Sequence, residues 1–299
     1  MPSVSSLERA AAELSAAHAK GRSLRIGEEL TTDGLDRILE HEAGDLTCTV
    51  EAGVRLSVLN AALAEHGQRL SLDPPGDPTI GALLARNVSG PLRHRFGSPR
   101  DLLLGVTLVL ADGTVANAGG KVVKNVAGYD LARLVCGSDG RLALVGRASF
   151  KLHPLPRAAR SVIVEAEDAA AAASRLLRSQ LQPSALDVLH PGRLAVLVEG
   201  SKRAVDEQLR AARELVGGNE TDASVWDESR ERQLRSRGRI RFAPGSLAET
   251  LASLAEAVVR PSAGIAYVPH LVPDDTPDAV RELAEAVRRT FDPRGVLAG

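Results

Sequence analysis

Two glycine-rich runs hold the residues whose types and spacing could do chemistry. The first, DPPGDPTIGALLARNVSGPLRHRFGSPRDLLLG, spans 73–105. Glycines let a backbone approach a ligand closely, successive amide N–H groups can cradle a diphosphate, and Thr79, Ser89 and Ser98 add hydroxyls. The second, GGKVVKNVAGYDLARLVCGSDGRLALVG, spans 119–146. It sets Lys121, Lys124, Asn125, Tyr129 and Asp130 between Gly119-Gly120 and the pair Gly137 and Gly140. Each run also has a plainer reading. The first can be a long surface loop, and Tyr129 can be a core or interface residue with a satisfied hydroxyl.

Arginines form two groups: Arg86, Arg93, Arg95 and Arg100 in the first run, and Arg230, Arg232, Arg235, Arg237, Arg239 and Arg241 further on. Guanidinium groups suit a carboxylate or a phosphate, although such groups more often form solvated faces or partner contacts. Arg239 and Arg241 would share one side of a strand, which favours a common target. Other site patterns are missing. There is no G-x-G-x-x-G, Walker sequence, nucleophile elbow or His-x-x-x-His pair, so Rossmann, P-loop, hydrolase and metal chemistry lack support.

Composition narrows the class. Apolar residues make up 44% and charged residues 25%, values that can build a core and argue against wholesale disorder. A formal net charge of −1 and 2% aromatic content offer neither a basic footprint nor stacking platforms, so no nucleic acid partner is expected. Cys48 and Cys136 make no disulfide framework. No signal peptide is legible and no apolar run reaches the length of a membrane span. The expected placement is the cytoplasm, with partners able to hold the chain at a membrane.

The elements that position these runs follow from periodicity. Ser5 and Glu8 have capping-box spacing ahead of a helix carrying Leu7, Ala11 and Leu14. A short helix is expected over 33–41, a half-buried strand over 46–51, and a helix capped by Ser57 that ends at Gly67. Residues 71–101 read as an ordered loop, with Asp112-Gly113 turning a hairpin whose first strand covers 102–110. Another strand covers 142–152, and Asp130 can cap a short helix. His153-Pro154-Leu155-Pro156 marks a boundary. Beyond it, strand, helix, two strands and helix (162–216) resemble most of a ferredoxin-like unit, with 265–268 as closing strand. A last helix from Thr276-Pro277 is expected to bury Val280, Leu283, Ala284, Val287 and Phe291.

Those runs resemble FAD-binding domains of the vanillyl-alcohol-oxidase (PCMH) type. Within that type they are most similar to the FAD-binding E-subunit family of bacterial glycolate oxidase. The likeness rests on LEHEAGDLTCTVEAGVRL (39–56), on DPP, TIG and SGPLRHRFGSPRDLLLG within 73–105, and above all on GGKVVKNVAGYDLARL (119–134). It continues more weakly through WDESRERQ, GRIRFAPG, AGIAYVP and FDPRGVL, and so covers most of the chain in order. It implies an α+β fold: a two-subdomain PCMH-type FAD-binding domain (1–156) and a smaller α+β, ferredoxin-like cap domain (157–299) whose C-terminal helix packs back. It implies FAD, with Pro75, Thr79, Gly81, Ser89 and Gly90 lining the pyrophosphate and isoalloxazine. Tyr129, Asp130, Gly137, Ser138 and Gly140 would line the adenine and ribitol side. It further implies oxidation of glycolate or a similar 2-hydroxy acid, with electrons passed to a catalytic flavin subunit and an iron–sulfur subunit.

The sequence departs from that pattern at particular positions. A phosphate loop of the form Arg-Gly-Gly-Gly-Thr-Lys is missing, because GRSLRIG (21–27) passes directly to EELTTDGLDRIL. Ala82, Arg141 and Ala143 stand where the family carries Gly, Thr and Gly. No catalytic residue is assigned; His270 is an isolated histidine. A second reading follows, that of a non-catalytic scaffold subunit of the same complex that has lost tight FAD binding. A third, a free-standing oxidase, requires turnover by this chain alone.

Overall fold

The computed structural model describes residues 3–120 and 130–298. Its first element is helix α1 (Leu7–Lys20), which buries Leu7, Ala10, Leu14 and Ala17 on one face. The cap is Ser6 rather than Ser5: its hydroxyl accepts the Arg9 amide at 3.2 Å. The expected helix at 33–41 is instead strand β1 (Ile38–Glu42), paired antiparallel with β2 (Thr47–Glu51). Pairing with β2 satisfies its backbone across the sheet, and the tertiary partner overrides a weak local helical pattern. Helix α2 (Leu56–Ala64) has no side-chain cap. Ser57 lies inside it and donates its hydroxyl to Asp77 at 2.7 Å.

The 71–101 loop is ordered and carries helix α3 (Ile80–Arg86) and two short helical turns, Arg93–Phe96 and Pro99–Leu102. Thr79 caps α3 by accepting the Ala82 amide, and Asn87 ends it at a positive φ of 49°. The expected hairpin is present as β3 (Leu103–Val109) and β4 (Val115–Gly119). Helix α4 (Leu131–Val135) is capped by Asp130, as anticipated. With β5 (Leu144–Lys151) these strands make a five-stranded antiparallel sheet ordered β1-β2-β5-β3-β4. Its core includes Val50, Leu59, Ile80, Leu83, Leu84 and Phe150, so α2 and α3 are held against the sheet by burial.

The second half opens with β6 (Ala158–Glu165), α5 (Ala169–Arg178), β7 (Ala185–His190), β8 (Arg193–Gly200) and α6 (Lys202–Val216). The strand that closes the ferredoxin-like unit is β9 (Asn219–Thr221), beside β6, and not 265–268. Helix α7 (Ser224–Leu234) follows, then β10 (Gly238–Arg241), β11 (Ala257–Arg260) and β12 (Ile265–Val268). These three extend the sheet beyond β7, giving β9-β6-β8-β7-β11-β12-β10.

Helix α8 (Asp278–Phe291) departs from expectation, since none of its residues is buried. Val287 and Phe291 pack partly on the first core, whereas Val280 is 52% and Leu283 65% exposed. The helix meets the body only along its last turns. The chain end does return to the first half, where Leu297–Ala298 pairs parallel with Leu24–Arg25.

Candidate functional site

A cleft of about 340 Å3 opens between the 25–33 segment, helix α3 and the turn at 138–145. Four of the residues expected at a ligand meet there: Thr79, Gly81, Ser138 and Gly140. Their convergence has local causes. Thr79 and Gly81 sit at the start of α3, where Ile80 and Gly81 donate their amides to Val54 and Ala52 at 2.9 and 2.7 Å. The turn is pinned to α3 by the Gly137 and Asp139 amides, which donate to the Leu84 and Ala85 carbonyls at 3.0 and 2.9 Å. Gly137 therefore lies beside the cleft without lining it.

The lining also includes Arg25, Thr31 and Thr32, which were not expected at a ligand, together with Arg86 from the first arginine group and Arg141 from the departing motif position. The shortened 21–33 stretch gave one available signal. A segment lacking a loop must fold back on what the loop would have covered. That is the arrangement here. A side chain at Gly81 would meet Thr32 Oγ1 at 3.4 Å, one at Gly140 would meet Ile26 Cβ at 3.0 Å, and one at Gly53 would meet the Thr32 carbonyl at 2.1 Å.

The remaining expected residues lie elsewhere. Ser89 and Gly90 are at the contact between the two halves. A Cβ on Gly90 would fall 1.7 Å from the Asp73 carbonyl, so its glycine serves a backbone crossing. The Ser89 carbonyl accepts from Gln233 Nε2 and from Arg260 Nη1, both at 3.0 Å. Arg260 is 1% exposed, lies 5.0 Å from the Tyr267 ring centroid and donates to Gln233 Oε1 at 2.7 Å. Its Nε faces Asp187 Oδ1 at 3.5 Å, while Ser229 donates to the other Asp187 oxygen at 2.6 Å. Burial raises the Asp187 pKa against the opposing pull of Arg260. Asp73, packed under the same contact, is pushed up to about 7 by burial, with Arg260, the Leu92 amide and Arg230 opposing. Pro75 does not line the cleft. Asp130 is exposed and pairs with Arg133 at 3.3 Å. Tyr129 lies outside the described residues.

The arginine groups disperse. Arg86 reaches the cleft, Arg95 donates to the Gln182 carbonyl across the halves, and Arg230, Arg232 and Arg235 pair with carboxylates on their own helix. Arg239 and Arg241 are both exposed on alternate positions of β10, hence on one side as expected. His270 is exposed just past β12. Burial pushes both cysteine thiols up to about 12, so neither is a reactive nucleophile. Among the described residues no cluster of three or more His, Cys, Asp or Glu could hold a metal, and no helix is long and apolar enough to cross a membrane.

A family model described as an FAD binding domain matches residues 17–119, the stretch that supplies one wall of the cleft and α3. The chain carries an FAD-binding domain of the PCMH type. It is 36% identical over 219 residues to glycolate oxidase subunit GlcE of Escherichia coli, covering 70% of this chain and 61% of that protein. It is 34% identical over 171 residues to D-lactate dehydrogenase [cytochrome] 1, mitochondrial, of Saccharomyces cerevisiae, covering 55% and 29%. It is 33% identical over 182 residues to glycolate oxidase subunit GlcD of Bacillus subtilis, covering 59% and 39%. The chain thus spans about three fifths of the first of these relatives and less than two fifths of the other two. A solved alkyldihydroxyacetonephosphate synthase superposes with a TM-score of 0.73 at 15% identity, covering 98% of this chain and 74% of that one, which shows a shared fold.

FAD is the cofactor of this domain type, and the chemistry of the cleft can be compared with it directly. Three guanidinium groups and the hydroxyls of Thr31, Thr32 and Ser138 supply cationic and donor character suited to a diphosphate. The volume lies at the lower end of ligand pockets, about 300–1,000 Å3, enough for part of a dinucleotide. The PCMH domain therefore fits the phosphate end of FAD, and it does so through side chains.

Proposed function

We propose that this chain is the FAD-holding subunit of an oxidoreductase that takes hydride from glycolate or a similar 2-hydroxy acid and passes electrons to partner subunits. The observation carrying this reading is the cleft that gathers Thr79, Gly81, Ser138 and Gly140 from two separate glycine-rich runs. Its relatives include subunits named for glycolate oxidase and enzymes named for D-lactate. When bound, FAD supplies the hydride-accepting chemistry. The chain's own part is to bind and orient it: the cleft would hold the nucleotide end, and Ser89 and Gly90 lie at the contact with the second half, where a flavin ring and substrate would meet, with Pro75 kept as a further cofactor neighbour. Division into an FAD-binding domain over 1–156 and a cap over 157–299 belongs to the same proposal, as do Tyr129, Asp130 and Gly137 as cofactor neighbours. The partners under this reading are a catalytic flavin subunit and an iron–sulfur subunit.

A second reading has a specific observation behind it. The amides of Gly27, Glu28, Glu29 and Leu30, which would face a phosphate in an open loop, all donate to the carbonyls of Leu30 or Arg25. A scaffold subunit without tightly held flavin has this feature. The visible spectrum of the purified chain, taken after incubation with excess FAD and removal of the unbound fraction, separates the two. A retained flavin band that bleaches on adding glycolate or D-lactate with the partner subunits supports the first reading. A colourless folded chain that still assembles with those subunits supports the second.

A further inference from the structure

Most amides of the three stretches that frame the cleft donate to acceptors of the protein itself. Besides the amides of 27–30, those of Ile80, Gly81 and Ala82 donate to Val54, Ala52 and the Thr79 hydroxyl. The amides of Gly137, Ser138, Asp139 and Arg141 donate to Leu84, Val135, Ala85 and Ser138. These stretches therefore build no nest of free N–H groups, the usual backbone solution for a diphosphate.

What remains is side-chain charge. Arg25 is held by Glu28 at 2.8 Å. Arg86 and Arg141 line the cleft from α3 and from the turn, and among the described residues neither has a carboxylate within ion-pair distance. Asp33 and Asp139 also line the cleft, and neither approaches these two arginines closely enough to neutralise them. Two unpaired guanidinium groups across one cleft are a clamp for a bridging dianion, each able to give two parallel hydrogen bonds to phosphate oxygens.

We infer that Arg86 and Arg141 grip the diphosphate of the bound nucleotide in place of a backbone phosphate loop. The inference rests on the proposed FAD reading of the cleft. Arg141 is then a replacement for the lost loop and not an intrusion on the nucleotide. Because both arginines are exposed, the grip is screened by salt.

Isothermal titration with FAD and with ADP, on the full chain and on Arg86→Ala, Arg141→Ala and the double variant, tests this. Each alanine is expected to weaken both ligands about ten-fold, as loss of charge-assisted hydrogen bonds does. Arg141→Lys is expected to recover part of the loss, and added salt to weaken the parent chain far more than the double variant. Asp139→Asn, at a φ of 52° that asparagine adopts readily, is expected to tighten both ligands. Alanine variants that bind FAD and ADP as the parent does overturn the clamp and leave the FAD reading standing. Arginine-dependent ADP binding without FAD binding keeps the clamp and overturns the FAD reading. A folded parent chain that binds neither ligand overturns both.

Discussion

At the scale of single residues, the contact between the halves is governed by a few buried polar groups whose costs do not cancel. Asp73 has a side chain 19% exposed, accepts the Leu92 amide at 2.9 Å and has Arg230 only at 3.5 Å. Burial outweighs these partners and raises its pKa to about 7. A carboxyl raised in the folded state from an unfolded value near 3.9 holds its proton more tightly when folded. Its contribution is therefore most favourable below about pH 4 and declines as pH rises through the window between the two values, with a limiting slope of about 1.4 kcal/mol per pH unit. The melting temperature of Asp73→Asn, followed across that window, should lack this decline; equal pH profiles for parent and variant would refute the assignment. The cleft shows the same economy in reverse, with most of its framing amides satisfied internally and, among the described residues, Arg86 and Arg141 without an ion pair.

Helix α8 illustrates the element scale. Its stripe of Val280, Leu283, Ala284, Val287 and Phe291 is the pattern of a core-facing helix, yet only its C-terminal turns meet the body. Burial depends on a surface arriving opposite the stripe, and periodicity carries no information about that. Leu283→Glu should then change stability by less than about 0.5 kcal/mol, as surface substitutions do. A loss of several degrees in melting temperature on differential scanning calorimetry would show that the stripe is covered in the isolated chain. Strand β1 teaches the complementary lesson: residues 38–42 became a strand because β2 stood ready to pair with them.

Across the whole molecule, two sheets are joined by polar bridges more than by one continuous apolar core. Arg69 holds Glu199 through two hydrogen bonds of 2.9 and 2.6 Å, with side chains 16% and 8% exposed. His153 stands nearby, its ring against Phe96 and its pKa lowered to about 4 by burial and by Lys151, Arg69 and Arg95, so it stays neutral there. Removing one partner of a buried pair strands the other and costs about 3–5 kcal/mol. Glu199→Ala should therefore loosen the halves, and calorimetry should resolve a single unfolding transition into two or lower it by many degrees. An unaltered transition would place the coupling elsewhere, in the Ser89–Gln233–Arg260 contact.

Several features of this protein were determined by the sequence alone. They include the α+β class, the β3–β4 hairpin at Asp112-Gly113, the Asp130 cap, the ferredoxin-like run from β6 to α6 and the FAD-binding character of the stretch that carries the first glycine-rich run. All depend on neighbours within a few residues or on motifs read in order. Tertiary structure alone decided that β9, not β12, closes the ferredoxin-like unit and that α8 stays exposed. It also sent Ser89 and Gly90 to the contact between the halves and Thr79, Gly81, Ser138 and Gly140 to the cleft. It brought Arg86 and Arg141 to that cleft as well. These outcomes depend on which distant surfaces meet, and the free energy of a long-range contact is set by both partners and by whatever competes for them.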